Sequence, residues 1–148
     1  MMAKKLIIGL FLSILTCGFF SCSLERDKSG DLGGMWHLVA IDTLSSGGSL
    51  DLSEKRIFWF IQGVFLQVDD IDDNIEPIIF HYEHSAETLI LSNPLFNDRV
   101  KGDPEVTDLR LLKPMGISEL NEKYFVEVLD GGKMMLKSNT LRLKFRKY

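Results

Sequence analysis

The chain predicts an all-β protein, an antiparallel up-and-down barrel of about eight strands with one short helix or long loop. A two-sheet β-sandwich is the alternative. Three observations lead there. In the final segment, "TLRLKFRKY", Leu141, Leu143 and Phe145 alternate with Arg142, Lys144 and Arg146, the period of a half-buried strand. Most of the preceding sequence reads the same way, or as short apolar runs broken by Gly, Ser and Asp. Helical-period segments do not alternate with these runs, so the connections are local and the strands antiparallel.

Taken in order, "MWHLVAID" (35 to 42) is a first strand, closed by the Gly- and Ser-rich "TLSSGGSLDLSE". "RIFWFIQGVFLQV" (56 to 68) reads as one long second strand, apolar on both faces at first, with Gly63 as a bulge or bend. "DDIDDN" (69 to 74) is a hairpin turn. "EPIIFHYEH" (76 to 84) and "ETLILS" (87 to 92) pair across "HSAE". Periodicity lapses over residues 93–108, a length that marks a functional or surface loop. "DLRLLKPMGISELN" holds one short helix, capped by Ser118 or the preceding turn and interrupted at Pro114. Strands at 123 to 129, 134 to 138 and 140 to 148 complete the chain, the first two joined by a "DGGK" turn.

The N-terminal segment has a different character. Lys4 and Lys5 precede the apolar run "LIIGLFLSIL", which is short for a membrane-spanning helix and placed as a secretory signal is. Residues 1–21 are therefore expected to be a signal peptide, with Ser21 as the small residue before the cut. Both cysteines lie here. "FFSC" resembles the lipobox of bacterial lipoproteins, which implies that Cys22 is acylated and becomes the mature N-terminus while Cys17 is discarded. Several acyl chains hold a protein stably on a membrane where one holds it marginally. Residues 22–32, "CSLERDKSGDL", then form the lipidated cysteine and a flexible tether, and 33–148 the barrel domain.

Loss of Lys4 and Lys5 with the signal takes the formal net charge from -4 to -6. An acidic chain of this kind is a poor partner for nucleic acid. From Gly33 onward about 115 residues remain, enough for a single core.

At "GGMWHL" the chain resembles the lipocalins and the wider calycin barrels. Gly34 and Trp36 match their G-x-W signature, and the resemblance implies an arginine of the last strand, Arg142 or Arg146, lying over the indole. The alternation of that strand puts both arginines opposite Leu143. "DLGGMWHLVAIDTL", "KRIFWF", "LFNDRVKGDPEV" and "TLRLKFRKY" together resemble small lipoproteins of Gram-negative bacteria with a lipocalin-like domain. That resemblance implies a cell-envelope location, on the outer membrane, and no established activity.

Chemistry-bearing patterns are sparse. No H-E-x-x-H, C-x-x-C, G-x-S-x-G or Walker pattern occurs, so neither enzymatic activity, a metal nor a cofactor is expected. His81 and His84 point to opposite faces of a strand; His81 and Glu83 share one, and a metal would need a third ligand. "DDIDDN" lacks the Gly and distal Glu of a calcium loop and reads as a solvated acidic turn. The aromatic excess of strands two and three, Phe58, Trp59, Phe60, Phe80 and Tyr82, marks a possible pocket for a small apolar ligand. The expected partners are thus the membrane, through acyl chains on Cys22, and either a small hydrophobic ligand or an envelope protein contacting loop 93–108.

Overall fold

The structure, a computed structural model, describes residues 29–148. The expected signal peptide and Cys22 lie outside the described residues. Nine strands form one antiparallel sheet: β1 (Gly34–Thr43), β2 (Ser49–Asp51), β3 (Ile57–Gln62), β4 (Phe65–Asp70), β5 (Ile78–His84), β6 (Thr88–Phe96), β7 (Glu122–Leu129), β8 (Lys133–Lys137) and β9 (Leu141–Lys147). Each strand from β3 onward pairs with the next, and β9 pairs back onto β1 from Trp36↔Lys147 to Thr43↔Leu141. That pairing closes the sheet into an eight-stranded barrel and excludes the sandwich. The short β2 covers the far half of β1, where β3 does not reach.

Three expectations are corrected, and of the two caps open for the helix the preceding turn supplies it. The single strand at 56 to 68 is two, β3 and β4, reversing at residues 63–64. Apolar residues on both faces of both halves hid a turn whose only mark was one glycine. The start of the expected loop 93–108 belongs to β6, which runs to Phe96. The helix, α1 (Leu109–Leu112), is capped by the Asp108 side chain accepting from Arg110 N, and Ser118 takes no part. Pro114 sits in the 3-10 turn Lys113–Met115 that follows, where a missing N–H costs little. Finally, the end of the expected tether is folded: Gly30–Leu32 make a 3-10 turn and Leu32 is fully buried.

Alternation fixes the two walls. Trp36 and Leu38 of β1, Trp59 and Ile61 of β3, Leu66 and Val68 of β4, Phe80 of β5 and Leu89 and Leu91 of β6 all point inward and are buried. The segment after α1 enters this interior. Trp59 Nε1 donates to Met115 O at 3.2 Å, and the Tyr124 hydroxyl donates to Gly116 O at 2.8 Å. Gly116 has φ +86°, and a Cβ there would lie 2.7 Å from Leu143 Cδ2, so only glycine lets this backbone approach the wall. Trp59 packs edge-on against Phe145 at 4.9 Å and Tyr124 at 5.9 Å between centroids. Side chains and this plug together occupy the barrel.

Candidate functional site

At the end where β1 begins, Gly34, Trp36 and Lys147 meet. The buried indole donates from Nε1 to Leu32 O at 2.7 Å, which draws the 3-10 turn over the barrel end. Lys147 Nζ stands 4.8 Å from the indole centroid and also reaches Asp31 O at 3.3 Å. Gly34 has φ +120°, and a Cβ would come within 2.9 Å of Lys147 Cε. The cation over the indole is thus the lysine. Arg142 lies on the outer wall and binds both carboxylate oxygens of Glu127, at 2.6 and 3.0 Å, holding that carboxyl below the usual glutamate range. Arg146 is exposed on the outer wall, paired with His37 of β1 and Lys133 of β8. The physical reason is parity: Leu141, Leu143, Phe145 and Lys147 face in, so Arg142 and Arg146 between them face out.

The five aromatics proposed as one pocket lie on both sides of the wall. Trp59 and Phe80 are buried inside the barrel as packing. Phe58 faces outward and is covered by His37, at 5.1 Å between centroids, and by Tyr148 at 5.3 Å. Tyr82 packs against the core and its hydroxyl donates to Gly63 O at 2.8 Å, pinning the 63–64 turn. Phe60 alone lines an open space.

That space is a groove of about 660 Å³ on the outer wall, crossing β3 to β6. Phe60, Phe65, Ile79 and Leu95 are its apolar lining, Gln62, Gln67, Asn97 and His81 its polar one, and Arg99 and Asp103 reach it from the loop. The residues share a face because the register pairs Phe60 with Gln67, Phe65 with His81 and Ile79 with Leu95. Asn97 Nδ2 donates to Gln67 Oε1 at 3.1 Å, and the His81 ring lies 5.0 Å from that of Phe65. Asp103 Oδ1 is buried with no hydrogen-bond partner among the described residues. An adjoining groove of about 430 Å³ shares His81 and Leu95 and runs beneath Glu105, Val106 and Thr107.

The loop between β6 and α1 folds back on its own strand. Phe96 N donates to Pro104 O and Val106 N to Pro94 O, both at 2.9 Å. Lys101 ties it down through Asp98 at 2.7 Å and Glu76 at 3.3 Å. It is an ordered wall of both grooves. Sequence reasoning placed the loop but missed Phe65, Ile79 and Leu95, because without the 63–64 reversal their common face is not legible.

The remaining polar clusters serve the fold. In the acidic turn Asp70 accepts from Asp72 N and Asp73 N, and Asp72 pairs with Arg56 at 2.7 Å. Burial first, then the charge of Asp73, raises the Asp70 carboxyl. Among the described residues no group of three His, Cys, Asp or Glu is arranged to hold a metal. Glu122 is buried and accepts from Ser118 N at 2.7 Å and Glu119 N at 2.8 Å, closing the turn after the plug. Burial raises its carboxyl, and the two N–H groups only partly offset that.

A family model described as a lipocalin-like domain matches residues 14–148. No curated protein matches the chain. Two solved structures are similar to it. A lipocalin-like protein from Bacteroides uniformis ATCC 8492 is 18% identical with a TM-score of 0.60, over 80% of this chain and 100% of that one. An uncharacterised protein from Bacteroides eggerthii DSM 20697 is also 18% identical, with a TM-score of 0.57, over 78% and 98% respectively. At that identity the likeness is one of fold.

Proposed function

The chain belongs to the lipocalin-like domain family, and from that premise we propose a non-enzymatic cell-envelope lipoprotein, acylated at Cys22, that binds an apolar ligand on the outer wall of a filled barrel. The observation that carries the ligand reading is the 660 Å³ groove, of the size that small-molecule sites have, with Phe60, Phe65, Ile79 and Leu95 set among a few polar side chains. The unpaired Asp103 Oδ1 favours a ligand that brings a hydroxyl or ammonium donor to the loop end. The interior, where ligands of a hollow barrel would sit, is taken up by Trp36, Trp59, Phe80 and the buried segment 115–117.

Titration with an environment-sensitive apolar fluorophore tests the groove. Ile79→Glu and Leu95→Glu, both on the outer wall, should weaken binding at least about tenfold, or 1.4 kcal/mol; unchanged affinity in both would move the site elsewhere. For the anchor, Cys22→Ser should abolish lipid labelling and release the protein from membranes. Continued labelling through Cys17 would reassign the acylated residue.

A protein partner is the second reading, favoured by the adjoining grooves that meet at His81 and Leu95 and continue under the loop. A cleft of that length suits an extended segment of an envelope protein. Native mass spectrometry of the protein extracted from its host separates the two, by a co-purifying small mass or a co-purifying subunit.

A further inference from the structure

In an up-and-down barrel alternate connections gather at one end. Here the start of β1, the 63–64 turn, residues 85–87, residues 130–132 and the end of β9 share an end. Ser29, the first described residue, is at that end too, because the 3-10 turn after it is bonded to Trp36. Cys22 precedes Ser29 by seven residues, a reach of at most about 25 Å when fully extended. An acyl group on Cys22 therefore holds this end close to the lipid.

Of the three exposed rings of Phe and Tyr among the described residues, Phe65 lies at this end and Tyr148 has its backbone there. Phe65 (49% exposed) follows the 63–64 turn, Phe125 (49%) sits midway along β7 between Thr88 and Lys137, and Tyr148 (76%) is bonded through its N–H to Met35 O while its ring packs on Phe58. Val64, 57% exposed, forms the turn between β3 and β4. Exposed aliphatic residues at the other end, such as Val100, have no exposed ring beside them. Aromatic side chains favour the bilayer interface, where an apolar body meets water and headgroups.

We infer that this end of the barrel is a membrane-docking surface, with Val64 and Phe65 resting in the interfacial layer of the bilayer that holds the acyl chains. The inference rests on the proposed acylation of Cys22. Glu87 and Asp130 stand on the other two turns of the same end, with Lys133 and Arg146 exposed beside the second, and these charges limit contact to interfacial depth. Phe65 also lines the groove, so docking opens the groove toward lipid.

The test uses the full lipidated chain in phosphatidylcholine vesicles containing lipid brominated near the headgroup. Val64→Trp adds an exposed indole to two buried ones, and Val100→Trp does so at the other end. The Val64→Trp increment of fluorescence should be quenched at least about twofold more than the Val100→Trp increment. Equal quenching, or none at position 64 in a protein whose mass shows the acyl chains, overturns the docking surface and leaves the anchor standing. If the mass shows no acyl chains, the anchor reading fails. The Cys22→Ser chain then decides the surface on its own, by whether Val64→Trp alone is quenched on added vesicles. Protection of position 64 that grows with protein concentration in the absence of lipid would assign the surface to a second copy and overturn the inference.

Discussion

Lys147 covers Trp36, its ammonium 4.8 Å from the indole centroid, while Gly34 leaves room for the lysine chain to pass. The G-x-W element and the last strand are thereby joined across the barrel closure, at the pair Trp36↔Lys147. A flexible ammonium also reaches Asp31 O, tying the 3-10 turn to the same cation.

Lys147→Ala should lower stability by about 0.5 to 2 kcal/mol, the range of a partly desolvated cation over an indole. Lys147→Arg should keep most of that, and Arg142→Ala and Arg146→Ala should leave the Trp36 emission unchanged. Denaturant midpoints and tryptophan spectra read both; an emission shift in Arg146→Ala would return the arginine to the indole.

Trp36→Ala removes a fully buried ring and should cost about 3 to 5 kcal/mol. Trp36→Phe restores apolar volume but leaves Leu32 O without its donor, a smaller loss of about 1 to 3 kcal/mol. A change below about 1 kcal/mol for the alanine variant would remove Trp36 as an anchor.

Gly116→Ala meets two obstacles, the left-handed φ of +86° and Leu143 Cδ2 at 2.7 Å. The backbone conformation alone costs about 1 to 2 kcal/mol, and overpacking about 1 to 3 more. In a Leu143→Ala background the second part should vanish. A double-mutant cycle measures it, and strict additivity would show that the plug does not press on β9.

The Glu122 carboxyl sits above the ordinary glutamate range chiefly because it is buried. A raised folded-state value means that its contribution is fully present below the unfolded value and is lost as pH rises through the folded one. Glu122→Gln keeps an oxygen for Ser118 N and Glu119 N and removes the titration. The stability of the parent chain relative to this variant should therefore fall as pH rises above the ordinary glutamate range. A rising or flat difference curve contradicts burial as the dominant cause.

Some of this was legible in the chain and some was not. The strand at 140 to 148 reads correctly because alternate residues differ sharply in polarity. The stretch 56 to 68 does not, since Ile57 to Ile61 is apolar on both faces: Ile57, Trp59 and Ile61 fill the barrel while Phe58 and Phe60 lie against the outer wall. Periodicity detects a difference between faces, and here there was little. The same stretch made five aromatics look like one pocket.

What the sequence by itself determined was the all-β class, the up-and-down order, the Gly34 and Trp36 element and the outward parity of Arg142 and Arg146. The class, the strand order and the arginine parity follow from local alternation and turn chemistry, which act over a few residues, and the Gly34 and Trp36 element from its resemblance to the G-x-W signature. Only the tertiary structure decided that β9 closes on β1, that Lys147 lies over Trp36, that residues 115–117 pack into the interior, and that Phe60, Phe65, Ile79 and Leu95 line one groove. Those relationships depend on register between strands far apart in the chain. A shift of one residue would turn every side chain to the other face, and the packed interior selects the single register that buries Trp36, Trp59 and Phe145 together.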